Sequence, residues 1–446
     1  MGRAGAAGAA GATWLTACAR GGAATPGSTP ELKPAQLRMY EWSGGPDLES
    51  ANSIAEVYQQ QQPKVQVSVE QPQAGGEPHY EQLLALFVAG GAPDVINTQS
   101  WRWHEFAAKN LLLPLDALRA RDKFDQAWPK AWEKMYEPQT RFQGKLYARP
   151  YHWGSVNVVY SKELFDKFGV PYPNPDWTFD QFVDTARRLT RQEGDTHYYG
   201  FQSVRIYTRW FGWWRNDGAV EWDPLIEPRK ANWTHPTVME RLSFLMHDVF
   251  HTLRLSPTIQ EQGLAITIEQ GKAAMKVEGP WFLPTMWGKA AARQPGTLFD
   301  VVPLPRGKSG GRVTAGVGHT HTISAQTKHQ EACWDLVKFV AGDQAQEIVS
   351  RITGRQPITP EQNQKIWAPT VQSTFNFSTA DAFIKSMEFG SFHLAGELGE
   401  GLLFRDSGLN DAISAMIAGE KKVGDVIPEA NRRLQQLMDD FWAKKG

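Results

Sequence analysis

The stretch HYEQLLALFVAGGAPDVINT, His79 to Thr98, decides the fold. It reads as a helix closed by Gly90-Gly91, followed by the strand DVINT. Upstream, KVQVSVEQ alternates strictly and reads as a half-buried strand. Before that, QLRMYEW is strand-like and ends at Trp42, and SGGPDL turns into the helix ESANSIAEVYQQQQP, which Pro63 stops. Strand, helix, strand, helix, strand in this order predicts a parallel sheet with crossover helices, hence an α/β fold. In such sheets ligands bind beyond the carboxyl ends of the strands. Trp42 and Ser43 follow the first strand, and Gln99, Ser100 and Trp101 follow the third. Their position places them at the mouth of a candidate site.

The chain has 446 residues, enough for two or three domains or two large lobes. Charged residues make up 21% and the formal net charge is -1, so there is no global basic field for nucleic acid. Tryptophan is in excess, with 18 copies. Aromatic excess without basic excess favours a carbohydrate or another small polar ligand, because a ring face packs on the C–H face of a sugar. The densest case is RWFGWWRNDG, Arg209 to Gly218. At 100° per residue Tyr207, Trp210, Phe211 and Trp214 share one stripe, with Trp213 off it. Four aromatics on one stripe more often fill a core than face a ligand.

The two cysteines differ in setting. Cys333 lies in EACWDLVKFV, a helical run with apolar Ala332, Leu336, Phe339 and Val340, and reads as a buried free thiol. Cys18 closes an Ala/Gly-rich start with one positive residue, Arg3. Leu15-Thr16-Ala17-Cys18 resembles a bacterial lipobox, where a signal peptide is cut before a lipid-bearing cysteine. Residues 1–18 are therefore expected to be a lipoprotein signal peptide, with Cys18 lipidated. Residues 19–35, rich in Gly, Pro, Ser and Thr, are expected to form a tether reaching on the order of 20 Å. No later segment has the roughly 18 uninterrupted apolar residues of a spanning helix.

Further along, GKLYARPYHWGSVNVVYSKELFDKFGV predicts strand pieces around 144–160 and then a helix. In DWTFDQFVDTARRLT, Thr178 is an N-cap candidate and Gln181 can complete a capping box. A second α/β unit continues through LAITIEQGKAAMKVEGPWFLP, in which EQGKAAMKV reads as helical up to the Gly279-Pro280-Trp281 turn. No fixed repeat of 20–50 residues appears. HDVFH, His247 to His251, has the spacing of a zinc-protease helix, but with Asp248 where the general base Glu belongs and no third ligand at a recognisable distance. His319-x-His321 offers two nitrogens, too few for zinc. RGKSGG, Arg306 to Gly311, lacks the spacing of a phosphate loop. No metal site and no cofactor are expected.

These segments together resemble extracellular solute-binding proteins of bacterial sugar ABC importers, the maltose-binding-like group. The resemblance runs over about 36–440. It rests on VQVSVEQP, FVAGGAPDVINTQSWRWHEFAAKNLLLPL, LYARPYHWGSVNVVYSKELFDKFGVPYP, EQGKAAMKVEGPW and VTAGVGHTHTISAQTKHQEACWDLVKFV, in the family's order. It implies a two-lobed periplasmic-binding-protein fold with an interlobe cleft and hinge-crossing segments. Lobe 1 would be 36–153 and 317–365, and lobe 2 154–316 and 366–446. The implied function is capture of a sugar or oligosaccharide outside the membrane and delivery to the permease subunits, with no catalysis, no nucleic acid partner and a monomeric state. The expected location is the extracytoplasmic face of the plasma membrane, or the periplasm. Carried over residue by residue, the resemblance puts Trp281 on the sugar as a stacking face. It adds Gln99, Trp101, His152, Trp153, Ser155, Gly318, His319 and Arg355 near the ligand, beside Trp42 and Ser43. For the aromatic run it implies that the start of the helix faces the cleft and its body packs in the second lobe, which makes Tyr207, Arg209 and Trp210 cleft candidates and Phe211 and Trp214 core, with Trp213 either exposed or a lid contact. Trp101 stands where some relatives carry an acidic residue. Arg405-Asp406 is a further segment the family often uses.

Two alternatives stay open. A secreted carbohydrate-active enzyme would need two facing carboxylates roughly 5–10 Å apart, for which Glu278 and Asp406 are the candidates. The same fold could also take a polyol, a glycerophosphodiester or an acidic sugar, if Arg209, Arg355 and His319 converge.

Overall fold

The computed structural model describes residues 31–71, 77–124, 136–285, 299–375, 377, 379–394 and 396–445. The signal-peptide and Cys18 expectations lie outside them, as does the tether up to residue 30.

Strand β1 (Ala35–Tyr40), helix α1 (Pro46–Gln61), strand β2 (Val65–Glu70), helix α2 (Glu77–Val88) and strand β3 (Val95–Gln99) follow one another as the sequence predicts. β1 pairs in parallel with β2 and with β3, so it lies between them. Period-2 burial fixes the register: Leu37 and Met39 of β1 and Val65 and Val67 of β2 are buried under α1, where Ile54 and Tyr58 meet them. Helix α1 starts with Pro46 in its first turn and Asp47 and Glu49 beside it, both favourable at a helix N-terminus.

The sheet is completed from far along the chain. Strand Thr314–Ile323 runs antiparallel to β3 on one side and to strand Ala148–Ser155 on the other. Gly390–Ser391 adds a short parallel edge. A second sheet is built around Asn157–Ser161, which lies antiparallel to Met275–Glu278 and Phe299–Val302. Only Val156 separates the last residue of Ala148–Ser155 from the first of Asn157–Ser161, so the chain passes from one sheet to the other there. It returns through Thr314–Ile323.

EQGKAAMKV is not helical. It is a short 3₁₀ turn at Ile268–Gln270 followed by the strand Met275–Glu278. Met275 and Val277 are buried against the central strand, so sheet pairing outweighs the helix-forming composition of Lys, Ala and Met. The capping box is as predicted: the Gln181 amide donates to Thr178 Oγ1 at 3.3 Å and Thr178 N donates to Gln181 Oε1 at 2.8 Å.

The aromatic run at 209–218 is mostly core. Tyr207–Arg209 is a 3₁₀ turn and Phe211–Arg215 a short helix. Trp213 and Trp214 are 2% and 0% exposed, so Trp213 is neither exposed nor a lid. Trp214 packs on Trp233 and Trp233 on Trp222, beside the buried Arg215–Glu221 ion pair, while Trp213 packs on Phe179, Phe182 and Phe244. Trp214 Nε1 donates to Glu221 Oε2 at 2.6 Å, so the indoles also serve as polar partners to the buried carboxylate. Cys333 is buried in helix Gln330–Val340, and burial pushes its thiol up to about 12, as expected for an inert thiol.

Several histidines are buried in neutral form. Burial pulls His79 and His104 down to about 4 and His321 down to about 3. A depressed folded-state value means that the unfolded chain takes up protons first as pH falls below about 6.5. Stability is therefore retained above that pH and lost between about 6.5 and 4, by roughly 1.4 kcal/mol per pH unit for each such histidine. Urea denaturation at pH 7 and pH 5 should show a clear drop in midpoint; equal midpoints would mean that these rings are solvated.

Candidate functional site

A cavity of about 500 Å³ lies between the two sheets. The turns after β1 and β3 contribute Trp42, Gln99 and Trp101, as the strand order predicts. Strand Thr314–Ile323 contributes Val317 and His319, and the turn after helix Asp343–Thr353 contributes Arg355. From the second sheet's side come Tyr207, Arg209, Trp210 and Trp281. The remaining wall includes His393, Glu400, Phe404, Arg405 and Asn410.

At the floor, Arg355 is buried and held by Asp47, the second residue of α1, with Nε and Nη2 at 2.8 and 2.9 Å from the two carboxylate oxygens. Burial opposes this charge, but Asp47 outweighs burial and raises the guanidinium above its usual value. Glu41 is buried nearby; burial first, and then the Asp47 charge, push it well above the usual carboxylate range. Asn97 Nδ2 donates to it at 2.6 Å. His319 is depressed by burial, then by Arg355 and His321, so it is neutral. Its Nδ1 accepts from Trp42 Nε1 at 2.7 Å, which leaves the proton on Nε2.

Trp281 is half-buried, and its Nε1 donates to Glu278 Oε1 at 2.7 Å. The Arg209 guanidinium lies 4.8 Å over its ring and that of Arg355 5.5 Å. Arg209 also pairs with Glu278. The indole edge is thus tied to a carboxylate while guanidinium groups lie over the ring. A Cβ at Gly279 would run into the benzo ring, so the glycine is what allows the ring to fold back onto its own turn.

Across the cavity, Trp101 stacks on His393 with centroids 5.1 Å apart and planes 8° off parallel. Trp101 Nε1 donates to Glu400 Oε1 at 2.9 Å, and Arg102 lies 3.7 Å from the other Glu400 oxygen. The turn after β3 is thereby joined to the C-terminal part of the chain over the cavity. Burial, then Arg215 and Arg102, depress His393 well below its usual value, so the stacked ring is neutral.

Of the residues singled out in the sequence, Trp42, Gln99, Trp101, Tyr207, Arg209, Trp210, Trp281, His319 and Arg355 come together here. Ser43, His152, Trp153, Ser155 and Gly318 do not line the cavity. His152 packs beneath His319, with centroids 4.3 Å apart. Trp153 is buried with its amide on Gln356 O, the Ser155 hydroxyl donates to Phe383 O, and Gly318 O accepts from Ser100 N. His152, Trp153, Ser155 and Gly318 share one cause: the strands at Ala148–Ser155 and Thr314–Ile323 are covered on both faces where they cross. Phe211 and Trp214 are buried away from the cavity, as read. Arg405 lines the rim while Asp406 pairs with it at 2.9 Å and does not line the cavity. His393, Glu400, Phe404 and Asn410 were not singled out. They sit on or beside a π-helical turn, Gly401–Asp406, whose wider register hides from a 100° count.

The rival motifs are structural. His247 Nδ1 lies 3.0 Å from its neighbour Asp248, and His251 Nε2 lies 2.8 Å from the Ile417 carbonyl. Among the described residues no cluster of three His, Cys, Asp or Glu side chains is arranged to hold a metal ion, and no helix is long and apolar enough to cross a membrane.

Two sheets joined by crossing strands, with one aromatic cavity between them, define the two-lobed α/β class of periplasmic binding proteins. Residues 43–347 match the bacterial extracellular solute-binding protein family, and the chain belongs to it. An ABC substrate-binding protein of Listeria monocytogenes, solved in complex with cycloalternan, superposes with a TM-score of 0.75 at 17% identity, covering 92% of this chain and 100% of that one. The GacH receptor of Streptomyces glaucescens, solved unliganded and with acarbose, gives 0.75 at 20% identity, with coverage of 92% and 100%. An arabinooligosaccharide-binding protein of Bacillus subtilis is 23% identical over 308 residues, 66% of this chain and 62% of the relative. The chain spans 61–62% of the length of such curated relatives.

The floor carries a direct test. Asp47→Asn leaves the Arg355 guanidinium buried without its counter-charge, which costs about 3 kcal/mol. Chemical denaturation should report a loss of that order; a loss below about 1 kcal/mol would mean that water already solvates Arg355.

Proposed function

We propose that this protein is an extracytoplasmic receptor that captures a sugar or oligosaccharide between its lobes and delivers it to an ABC import permease. The observation that carries this reading is the convergence on one cavity of Trp42, Trp101, Tyr207, Trp210, Trp281 and Phe404, drawn from both sheets, with polar side chains between them. Ring faces suit sugar C–H surfaces and the polar groups suit hydroxyls. The carbohydrates named with the structural relatives, cycloalternan and acarbose, support the same class of ligand. The lobes in this reading are 36–153 with 317–365, and 154–316 with 366–446. A ligand bridging them binds the closed form better than the open one, which is all a clamp requires.

The reading includes no chemistry. Glu278 is committed to Arg209 and Trp281, and Asp406 to Arg405, so neither carboxylate is placed to serve as acid or base. It includes a lipid on Cys18, a monomer, no cofactor and no nucleic acid.

Calorimetry with an oligosaccharide panel tests this: one sugar should bind with unit stoichiometry and be recovered unchanged by chromatography. Turnover would make the protein an enzyme. Trp281→Ala should weaken that sugar at least about tenfold, since 1.4 kcal/mol is a factor of ten. Unchanged affinity with a lowered apo melting temperature would reduce Trp281 to packing. Cys18→Ala, expressed in a bacterial host, should move the folded protein from the membrane to the soluble fraction. Retention after a high-salt wash would rule out the lipid anchor.

A further inference from the structure

The cavity is rich in donors and poor in acceptors. Four arginines line it, Arg205, Arg209, Arg355 and Arg405, against one carboxylate, Glu400. That carboxylate is already taken by Trp101 Nε1 and Arg102. The indole N–H groups are spent as well: Trp42 on His319, Trp101 on Glu400, Trp210 on the Val204 carbonyl and Trp281 on Glu278. Gln99 Oε1, one of the few side-chain acceptors, takes the Tyr80 hydroxyl.

The guanidinium groups keep capacity. Glu278 and Asp47, which balance Arg209 and Arg355, stand behind the wall and do not line it. Arg355 uses Nε and Nη2 on Asp47, which leaves Nη1. Arg209 donates from Nη1 to Thr208 and from Nη2 to Glu278, and its buried Nε has no partner. Arg205, exposed at the rim, donates to the Asn410 carbonyl at 3.0 Å and has no carboxylate in ion-pair range among the described residues. Every hydroxyl of a neutral sugar brings a proton that needs an acceptor, and a buried donor without one is costly. Charged oxygens only accept, and a guanidinium fork matches them.

We propose that the ligand is an anionic sugar, one bearing a carboxylate, sulfate or phosphate, whose charged oxygens are received by Arg209 and Arg355 at the floor and by Arg205 at the rim. This rests on the sugar-binding reading above and narrows it.

The test is calorimetry at low and high salt on matched pairs. Oligosaccharides of galacturonic, glucuronic and mannuronic acid are each set against their carboxyl-reduced forms, sulfated glycans against desulfated ones, and sugar phosphates against their parents. One charged member should bind at least about tenfold tighter than its neutral partner and weaken as salt rises. The pair that shows the gap identifies the anion. Arg209→Gln should close most of the gap, and Arg205→Gln, at an exposed position, should narrow it. A neutral member binding as well as or better than its charged partner overturns the inference and leaves the sugar reading intact. Failure of every sugar, charged or neutral, overturns both.

Discussion

The Arg355–Asp47 pair is the point at which the separate parts of the structure meet. Asp47 belongs to the first turn of α1 and so to the first sheet. Arg355 lies over Trp281, which belongs to the second. Its neighbours in the chain add to the junction. A Cβ on Gly354, which has φ 70°, would meet the Pro280 carbonyl, so the backbone passes there at the closest approach a residue without a side chain allows. The Gln356 carbonyl accepts from Trp153 N at 2.9 Å, and its side chain bonds Asn363. Three residues thus tie α1, the strand that changes sheets and the Pro280–Phe282 turn to one another. A buried ion pair of this kind is a weak source of stability but a strong constraint on position, because either charge alone is intolerable there.

A second buried ion pair, Arg215–Glu221, lies inside the aromatic core, where Trp214 donates to Glu221 and Trp222 to the Tyr207 hydroxyl. Tyr207 and Trp210 sit at the edge of the same cluster and face the cavity. The cleft wall is therefore the surface of a rigid aromatic core, and rings held before a ligand arrives lose little freedom on binding. The Trp101–His393 stack and the Glu400 bridge close the opposite side, beside the π-helical turn Gly401–Asp406.

How far the sequence could be read follows from this architecture. The five elements from β1 to β3 were legible because their periodicity is local and clean, and strand order alone placed Trp42, Gln99 and Trp101 at the cavity. Arg355 and His319 were legible only through resemblance, since nothing in GRQP or GHTHT marks a cleft. That His152, Trp153, Ser155 and Gly318 do not reach the cavity was not legible, because adjacency to a crossing segment does not tell which face of a doubly covered strand a residue takes; Ser43 was read from its place after β1, where only its neighbour Trp42 turns into the cavity. EQGKAAMKV looked helical because its composition is; only pairing with Asn157–Ser161, more than a hundred residues earlier, makes it a strand. The stretch from His393 to Asn410 was nearly invisible, because a π-helical turn breaks the spacing on which amphipathic reading depends.

The central claim is that the two lobes close around a ligand held between them. Val88, at the end of α2, and Leu264, after helix Ile259–Gly263, are 83% and 73% exposed, one beside each sheet. Cysteines at these two positions in a Cys18→Ala background, with Cys333 buried and unreactive, carry a donor and an acceptor dye for energy transfer. Saturating sugar should shorten the separation between the dyes, with one bound population replacing the free one. A distance distribution that does not move on saturation would mean a rigid pocket, and the account of a closing clamp would be wrong.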